Sequence, residues 1–136
     1  MRTISMLLPY SKPPLSLNDR GHYMARARKV AQVRRDVYLI ARSHNLPTGL
    51  DHVTVQLHYR PAQNRRRDPI NLSATHKALV DGLAAGTKKH PGYGLVPDDD
   101  PRYVTDLMPV IHPSAQGKPA QMWLVLEFRG EAKNAG

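Results

Sequence analysis

The sequence predicts a small α+β domain in which two main helices pack on a mixed β-sheet of about four strands, in the order β-α-β-α-β-β. Four segments alternate apolar and polar residues, two longer segments place apolar residues at helical spacing, and turn residues separate them. A length of 136 residues suits one hydrophobic core. We therefore expect a single domain over 1–136, with its core at about 3–129 and a flexible tail over 130–136.

The first strand is predicted over 3–8, where three apolar side chains share one side: Ile4, Met6 and Leu8. Prolines at 9, 13 and 14 stop it. A helix is predicted over 23–41, because its apolar residues recur at intervals of three and four: Val30, Val33, Val37 and Ile40. Basic residues lie mostly off this stripe, among them Lys29, Arg34 and Arg35. They form either a solvated face or a surface that follows a phosphate backbone.

The second strand is predicted over 51–60, with four side chains facing the core: Val53, Val55, Leu57 and Tyr59. A loop then leads to Asp68. The second helix is predicted over 71–85, with Leu72, Leu79 and Leu83 on one face and Gly86 as its stop. A connector rich in glycine and proline follows.

The last two strands are predicted over 103–111 and 121–129. In the final strand, Trp123, Val125 and Glu127 alternate with four apolar residues on the opposite side: Met122, Leu124, Leu126 and Phe128. Both faces of this strand are therefore expected to be at least partly covered.

Charge is the strongest compositional signal. Twenty Lys and Arg against eleven Asp and Glu give a net charge of +9 and a pI near 10.2. Such a field favours an anionic partner, and nucleic acid is the commonest one for a basic domain. The chain has no cysteine, which excludes disulfides, zinc-thiolate sites and a cysteine nucleophile.

No apolar run approaches the roughly 18 residues of a membrane span, and the first residues lack the long apolar region of a signal peptide. We therefore expect a cytoplasmic protein with no membrane partner.

Two acidic positions inside this basic chain suggest metal chemistry. Asp68 follows three arginines, and Asp98, Asp99 and Asp100 follow some thirty residues later. Mg²⁺ prefers oxygen ligands and is often held by one or two carboxylates together with substrate phosphate. Each position also has a purely structural interpretation, because Asp-Pro fits a helix N-cap or a turn.

Lys77 lies inside the second predicted helix, four residues before Asp81. A lysine near a metal can stabilise transition-state charge on a phosphate, although a helical lysine more often forms a modest surface pair with an acid at i+4. The histidines show no HxH or HExxH spacing, and no phosphate-binding glycine loop is present.

Three segments in this order resemble the RusA family of Holliday junction resolvases, in the form carried by bacteriophages. They are PPLSLN before a basic helix, RRRDPIN with the KALVDGL segment, and VPDDDPRYV. The resemblance covers about residues 4–129. It implies a small α+β fold, an intertwined homodimer, and an endodeoxyribonuclease that cuts four-way DNA junctions with Mg²⁺, or with Mn²⁺ in its place, by paired nicks in recombination or repair.

The resemblance also implies roles for individual residues. Asp68 and Asp99 match the family's catalytic, metal-binding aspartates, with Asp98 a further ligand, and Lys77 matches the motif lysine. Asn71 matches the supporting asparagine. The DNA backbone would contact six basic residues: Arg65, Arg66, Arg67, Lys29, Arg34 and Arg35. Asp98 and Asp100 stay open as alternatives to Asp99.

Two departures leave further alternatives. Ile70 stands where the family has its second motif aspartate, and the interval from Asn71 to Lys77 is three residues longer than in the best-known form. The chain is therefore either an active nuclease or a catalytically weakened protein that grips junctions without cutting. A general single-strand or RNA-binding module would need exposed aromatics, and the one Trp, one Phe and six Tyr are scattered along the chain.

Overall fold

The computed structural model describes residues 1–16 and 21–129. It contains five strands, β1 (Arg2–Leu8), β2 (Val53–Arg60), β3 (Val104–Asp106), β4 (Val110–Ile111) and β5 (Gln121–Phe128). The two helices are α1 (Tyr23–Ser43) and α2 (Ser73–Leu83), and a 3₁₀ turn, Pro69–Leu72, leads into α2. The α+β class and the element order are as predicted. The predicted tail over 130–136, and Leu17 and Asn18 of the PPLSLN motif, lie outside the described residues.

The strands form one mixed sheet with β5 in its interior. The order is β1-β5-β2-β3, and β4 pairs with β2 along the same edge as β3. β5 is antiparallel to both β1 and β2, whereas β3 and β4 are parallel to β2. The parallel pairs need a crossover connection, which α2 supplies.

Both helices pack on one face of this sheet. The inward side chains of the strands, including Met6, Leu57, Leu124 and Leu126, are fully buried in one cluster. Helix α1 adds Val33 and Val37 to it, and α2 adds Leu79 and Leu83. The opposite side chains of β1, β2 and β5 are all at least partly exposed. Within residues 1–16 and 21–129, the sheet thus has one face covered by helices and one face that they leave bare, which we call the bare face.

The predicted strand over 103–111 is wrong as a single element, because it is interrupted between Asp106 and Val110. Asp106 pairs with Val55, and Val110 pairs with His58. The segment from Asp106 to Val110 therefore contains one residue more than the segment of β2 that it lies beside. The extra residue makes a β-bulge, and Pro109, which has no backbone N–H, lies inside it. A bulge of one residue exchanges the faces of all later side chains, so His112 lies on the bare face beside His58.

The predicted end of the second helix is also wrong, because α2 stops at Leu83 rather than at Ala85. Residues 84–97, which we call the return loop, fold back over the end of α2. The amide of Tyr93 donates to the Gly82 carbonyl at 2.8 Å, and the amide of Leu95 donates to the Leu83 carbonyl at 2.9 Å. The loop therefore satisfies the carbonyls that a helix end leaves free, and it returns the chain to the side of α2.

Within residues 1–16 and 21–129, no helix is both long and apolar enough to cross a membrane.

The contact between α1 and α2 generates a stability prediction. A Cβ at Gly82 would lie 2.5 Å from Val37 Cγ1 and 2.7 Å from the Arg34 carbonyl oxygen. Alanine favours helices over glycine by up to about 1 kcal/mol, but overpacking costs about 1–3 kcal/mol. We expect Gly82→Ala to lower the free energy of unfolding by about 1–2 kcal/mol in urea denaturation. Gly21→Ala, with nothing within 4 Å of the added Cβ, is the control. A Gly82→Ala protein at least as stable as wild type would contradict this packing.

Candidate functional site

A lysine lies between two aspartates on the exposed side of α2. Lys77 Nζ donates to Asp81 Oδ1 at 2.8 Å and to Asp99 Oδ2 at 2.5 Å. Asp81 is one helical turn beyond Lys77, whereas Asp99 arrives from the segment that follows the return loop. The two carboxyl groups thus lie on either side of one ammonium. We call Lys77, Asp81 and Asp99 the acidic triad.

The shared hydrogen bonds separate the acidities of the two carboxyl groups. Burial raises the pKa of Asp81, and the hydrogen bond to Asp99 raises it further. Hydrogen bonds from Asp81 and from Lys77 hold the pKa of Asp99 well below its usual range. Burial acts to lower the pKa of Lys77, but its bonds to the two aspartates outweigh this and raise it. One carboxyl therefore keeps its proton more readily than the other, as in carboxylate pairs at active sites.

The neighbouring aspartates have structural partners. Asp98 Oδ1 accepts the amide of Asp99 at 2.7 Å, which shapes the turn that presents Asp99. The Asp100 carboxylate accepts hydrogen bonds from the backbone amide and from the guanidinium of Arg102. Of the three candidates in the acidic cluster, Asp99 is the one that contacts Lys77, whereas Asp100 faces Arg102.

A cleft of about 360 Å³ contains both members of the aspartate pair. Asp81, Asp98 and Asp99 line it together with Arg34 of α1 and His90 of the return loop. We call it the acidic cleft. Arg34 and His90 also line a neighbouring groove, together with Arg35, Tyr38 and Lys89. This second surface, the basic groove, carries predicted DNA contacts, and it adjoins the acidic cleft through two shared residues.

Asp68 lies in a different cleft. It caps the 3₁₀ turn before α2, where its Oδ1 accepts the amide of Ile70 at 3.1 Å. The predicted N-cap role is therefore confirmed. This Asp68 cleft, of about 590 Å³, is also lined by Arg66, Arg67 and Asn71, and it shares no lining residue with the acidic cleft.

The other predicted DNA contacts are spread over the surface. Arg65 bonds Gln63 Oε1 at 2.9 Å in the exposed loop before Asp68. Lys29 lines a further cleft beside Tyr10 and Asp36. Arg34, besides lining the acidic cleft, donates to the carbonyl of His90 at 3.0 Å. The predicted acidic residues therefore divide between two clefts, and the predicted basic residues are spread more widely.

The donor set of the acidic cleft fits a hard divalent cation in part. Two facing carboxylates, already held around a positive ammonium, offer oxygen ligands of the kind that Mg²⁺ prefers, with room for water and phosphate oxygens. Among residues 1–16 and 21–129, however, no group of three or more His, Cys, Asp or Glu side chains could hold a metal. The residues present therefore fit a cation bound by one or two carboxylates and completed by substrate.

Asp81 is the residue that sequence reasoning missed as a site member. Its i+4 spacing from Lys77 signalled a surface ion pair, and that pair is present at 2.8 Å. Only the path of the return loop brings Asp99 to the same lysine. A second pair was also missed: His76 is buried, and its Nε2 lies 2.6 Å from Asp106 Oδ1. No spacing rule links residues from a helix and from a later strand.

No protein-family model matches this chain, and a search of curated proteins gave no match either. The resemblance to RusA resolvases therefore remains a prediction that rests on the motifs.

The aspartate pair generates a prediction for titration. Both the hydrogen bond and the charge of Asp99 raise the pKa of Asp81. We therefore expect the pKa of Asp81 to fall in the Asp99→Asn variant, measured from carboxyl carbon shifts by NMR. Asp68→Asn is the matched control, because Asp68 lines another cleft, and it should leave the titration of Asp81 unchanged. An unaltered Asp81 titration in Asp99→Asn would show that the two carboxyl groups do not interact.

Proposed function

We propose that this protein is a Mg²⁺-dependent endodeoxyribonuclease that cuts branched DNA, with four-way junctions as its substrate. The acidic triad carries the proposal: Lys77 holds Asp81 and Asp99 together at a cleft that adjoins the basic groove. A chain with a net charge of +9 attracts DNA. Carboxylates inside such a field are repelled by the substrate unless a cation lies between them and the phosphate.

Each member of the triad has a chemical role in this proposal. Asp99, which ionises most readily, and Asp81 supply ligand oxygens to the cation. A bound divalent cation lowers the pKa of a water molecule and neutralises charge that develops on the phosphate oxygens. The Lys77 ammonium donates to a scissile phosphate oxygen. Arg34 and Arg35 bind flanking phosphates in the basic groove.

The choice of branched DNA and of a homodimer follows from the RusA-like motifs. Paired nicks on opposing strands need two active sites, which a twofold-symmetric dimer provides. Arg66 and Arg67, which line the Asp68 cleft, belong to the same motif and complete the DNA-binding surface in this proposal. A protein that resolves junctions acts on DNA in the cytoplasm, in recombination or repair.

A second candidate function is junction binding without cleavage. One observation favours it specifically: Ile70 stands 48% exposed beside Asp68 where the family motif has an aspartate. Asp68 therefore lacks the neighbouring carboxylate that would make its cleft a metal site. In this alternative the basic surfaces grip DNA, and the acidic triad is a structural ion pair.

Metal binding gives a test that does not depend on activity. Mg²⁺ at ten times its dissociation constant adds about 1.4 kcal/mol of stability, which raises the melting temperature by about 4–6 °C. We expect this rise in wild type and in Asp68→Asn, its loss in Asp99→Asn, and its reversal by EDTA. Protons compete with the cation for the aspartate pair, so the rise should shrink as pH falls through the raised pKa of Asp81. If only Asp68→Asn loses the Mg²⁺-induced rise in melting temperature, the metal binds in the Asp68 cleft and not in the acidic cleft.

Cleavage is tested with a labelled four-way junction and Mg²⁺ or Mn²⁺. We expect paired nicks from wild type and a loss of at least about 100-fold in Asp81→Asn and in Asp99→Asn, because each substitution removes a charged ligand. Junction binding by these variants should persist. Asp100→Asn is the matched control, since Asp100 faces Arg102. If wild type binds the junction but makes no nicks with either metal, the nuclease proposal is wrong and junction binding without cleavage is the function.

A further inference from the structure

The bare face of the sheet carries a row of large side chains at one end. Leu7, Trp123 and His58 are direct cross-strand partners from β1, β5 and β2. Leu7 is 57% exposed, and the other two are half-buried. Neither helix covers this face, so the row faces solvent.

Three rings in this region stack together. The ring centroids of His58, His112 and Trp123 lie 5.0–5.3 Å apart in all three pairs, and their planes differ by 13–27°. His58 Nδ1 and His112 Nε2 share a hydrogen bond of 2.8 Å, and Gln56 Oε1 lies 3.1 Å from His58 Nε2. These bonds fix the orientation of the two imidazoles. We call the three rings the stacked trio.

The β-bulge between Asp106 and Val110 is what completes the stacked trio. With a continuous ladder, His112 would point to the helix side of the sheet. The extra residue turns it to the bare face, where its ring meets those of His58 and Trp123. Bulges commonly re-aim a side chain in this way near functional sites.

Positive charge lies at the same end of the sheet. Arg60, the last residue of β2, donates to Gln121 Oε1 at 3.0 Å and so stands one row beyond His58. The loop that follows carries Arg65 in an exposed position, whereas Arg66 and Arg67 line the Asp68 cleft with Tyr59 on the helix side of the sheet. Asn64 Oδ1 in that loop accepts the amide of Ser114 at 2.9 Å, which ties the loop to the segment just after His112.

We propose that the stacked trio is a binding site for unpaired nucleobases of single-stranded DNA or of an open branch point. A base stacks on the rings of Trp123 and His112, while Arg60 and Arg65 bind the adjoining phosphates. Aromatic surfaces combined with a basic track are the usual means of holding single strands without sequence preference. The inference goes beyond the proposed nuclease, because it needs neither the metal nor cleavage.

The composition of the bare face favours bases over a second copy of this chain. Away from the stacked trio the outward positions of this face are mostly polar: Thr3, Ser5, Thr54, Gln56 and Glu127, with Val125 among them. A stable protein interface would need a larger continuous apolar centre. The excess of positive charge attracts a polyanion.

The test uses the intrinsic fluorescence of Trp123, which is the single tryptophan of the chain. The full chain is titrated, without divalent metal, with a single-stranded oligodeoxynucleotide of about ten residues. We expect quenching that saturates. An abasic oligonucleotide of equal length, which carries the phosphates alone, should bind more weakly and leave the emission largely unchanged.

Variants of His112 separate stacking from charge. His112→Ala should weaken binding of the oligonucleotide by roughly 5- to 150-fold in anisotropy measurements with a labelled strand. His112→Phe keeps a ring and should bind within a few-fold of wild type. His52→Ala is the control, because His52 lies at the far end of the same sheet, bonded to Thr105.

Three outcomes would overturn the proposal. They are equal quenching by the abasic strand, equal affinities of His112→Ala and His112→Phe, or an emission that changes on protein dilution and does not respond to the strand. The last would assign the face to a second copy of the chain. Because no metal is present, these results are independent of whether the protein nicks a junction.

Discussion

The backbone carbonyls at the end of α2 impose the constraint on which the candidate site depends. A buried helix end must find hydrogen-bond donors, and the amides of Tyr93 and Leu95 supply them by folding back over Gly82 and Leu83. Buried Leu95 and Val96 anchor this path in the core. The chain leaves the return loop beside α2, and Asp99 reaches Lys77. The acidic triad is thus a product of backbone hydrogen bonding as much as of side-chain attraction.

The balance of charges around the triad differs from that of an ordinary surface ion pair. An exposed lysine and aspartate contribute little to stability. Here two carboxyl groups share one ammonium, and burial raises the pKa of Asp81 while that of Asp99 is depressed. Neighbouring carboxyl groups whose pKa values shift in opposite directions are common at catalytic sites. It is the strongest physical argument that α2 carries a site, and it applies to Asp81, which the motif alone left as a surface residue.

The sequence was sufficient for the fold class because the period-2 and helical patterns reflect burial directly: Val53, Val55, Leu57 and Tyr59 are all buried as their alternation predicts. It was insufficient wherever two distant segments meet. The end of α2 depended on donors from the return loop, and the break before Val110 depended on pairing with β2. The motif order pointed to Lys77 and Asp99 separately, and only the structure brings them into contact. The stacked trio joins rings from β2, from β5 and from the segment after β4, which no local pattern connects.

The position of β5 has a consequence for how the chain folds. This strand lies between β1 and β2 and pairs along its full length with both, yet it comes after all of them in the chain. The hydrogen-bond partner of β1 lies more than a hundred residues later in the chain. Before β5 is added, the inward side chains of β1 and β2 cannot be buried in a complete sheet. Such non-local pairing slows folding and makes the interior of the sheet the last part of the domain to form.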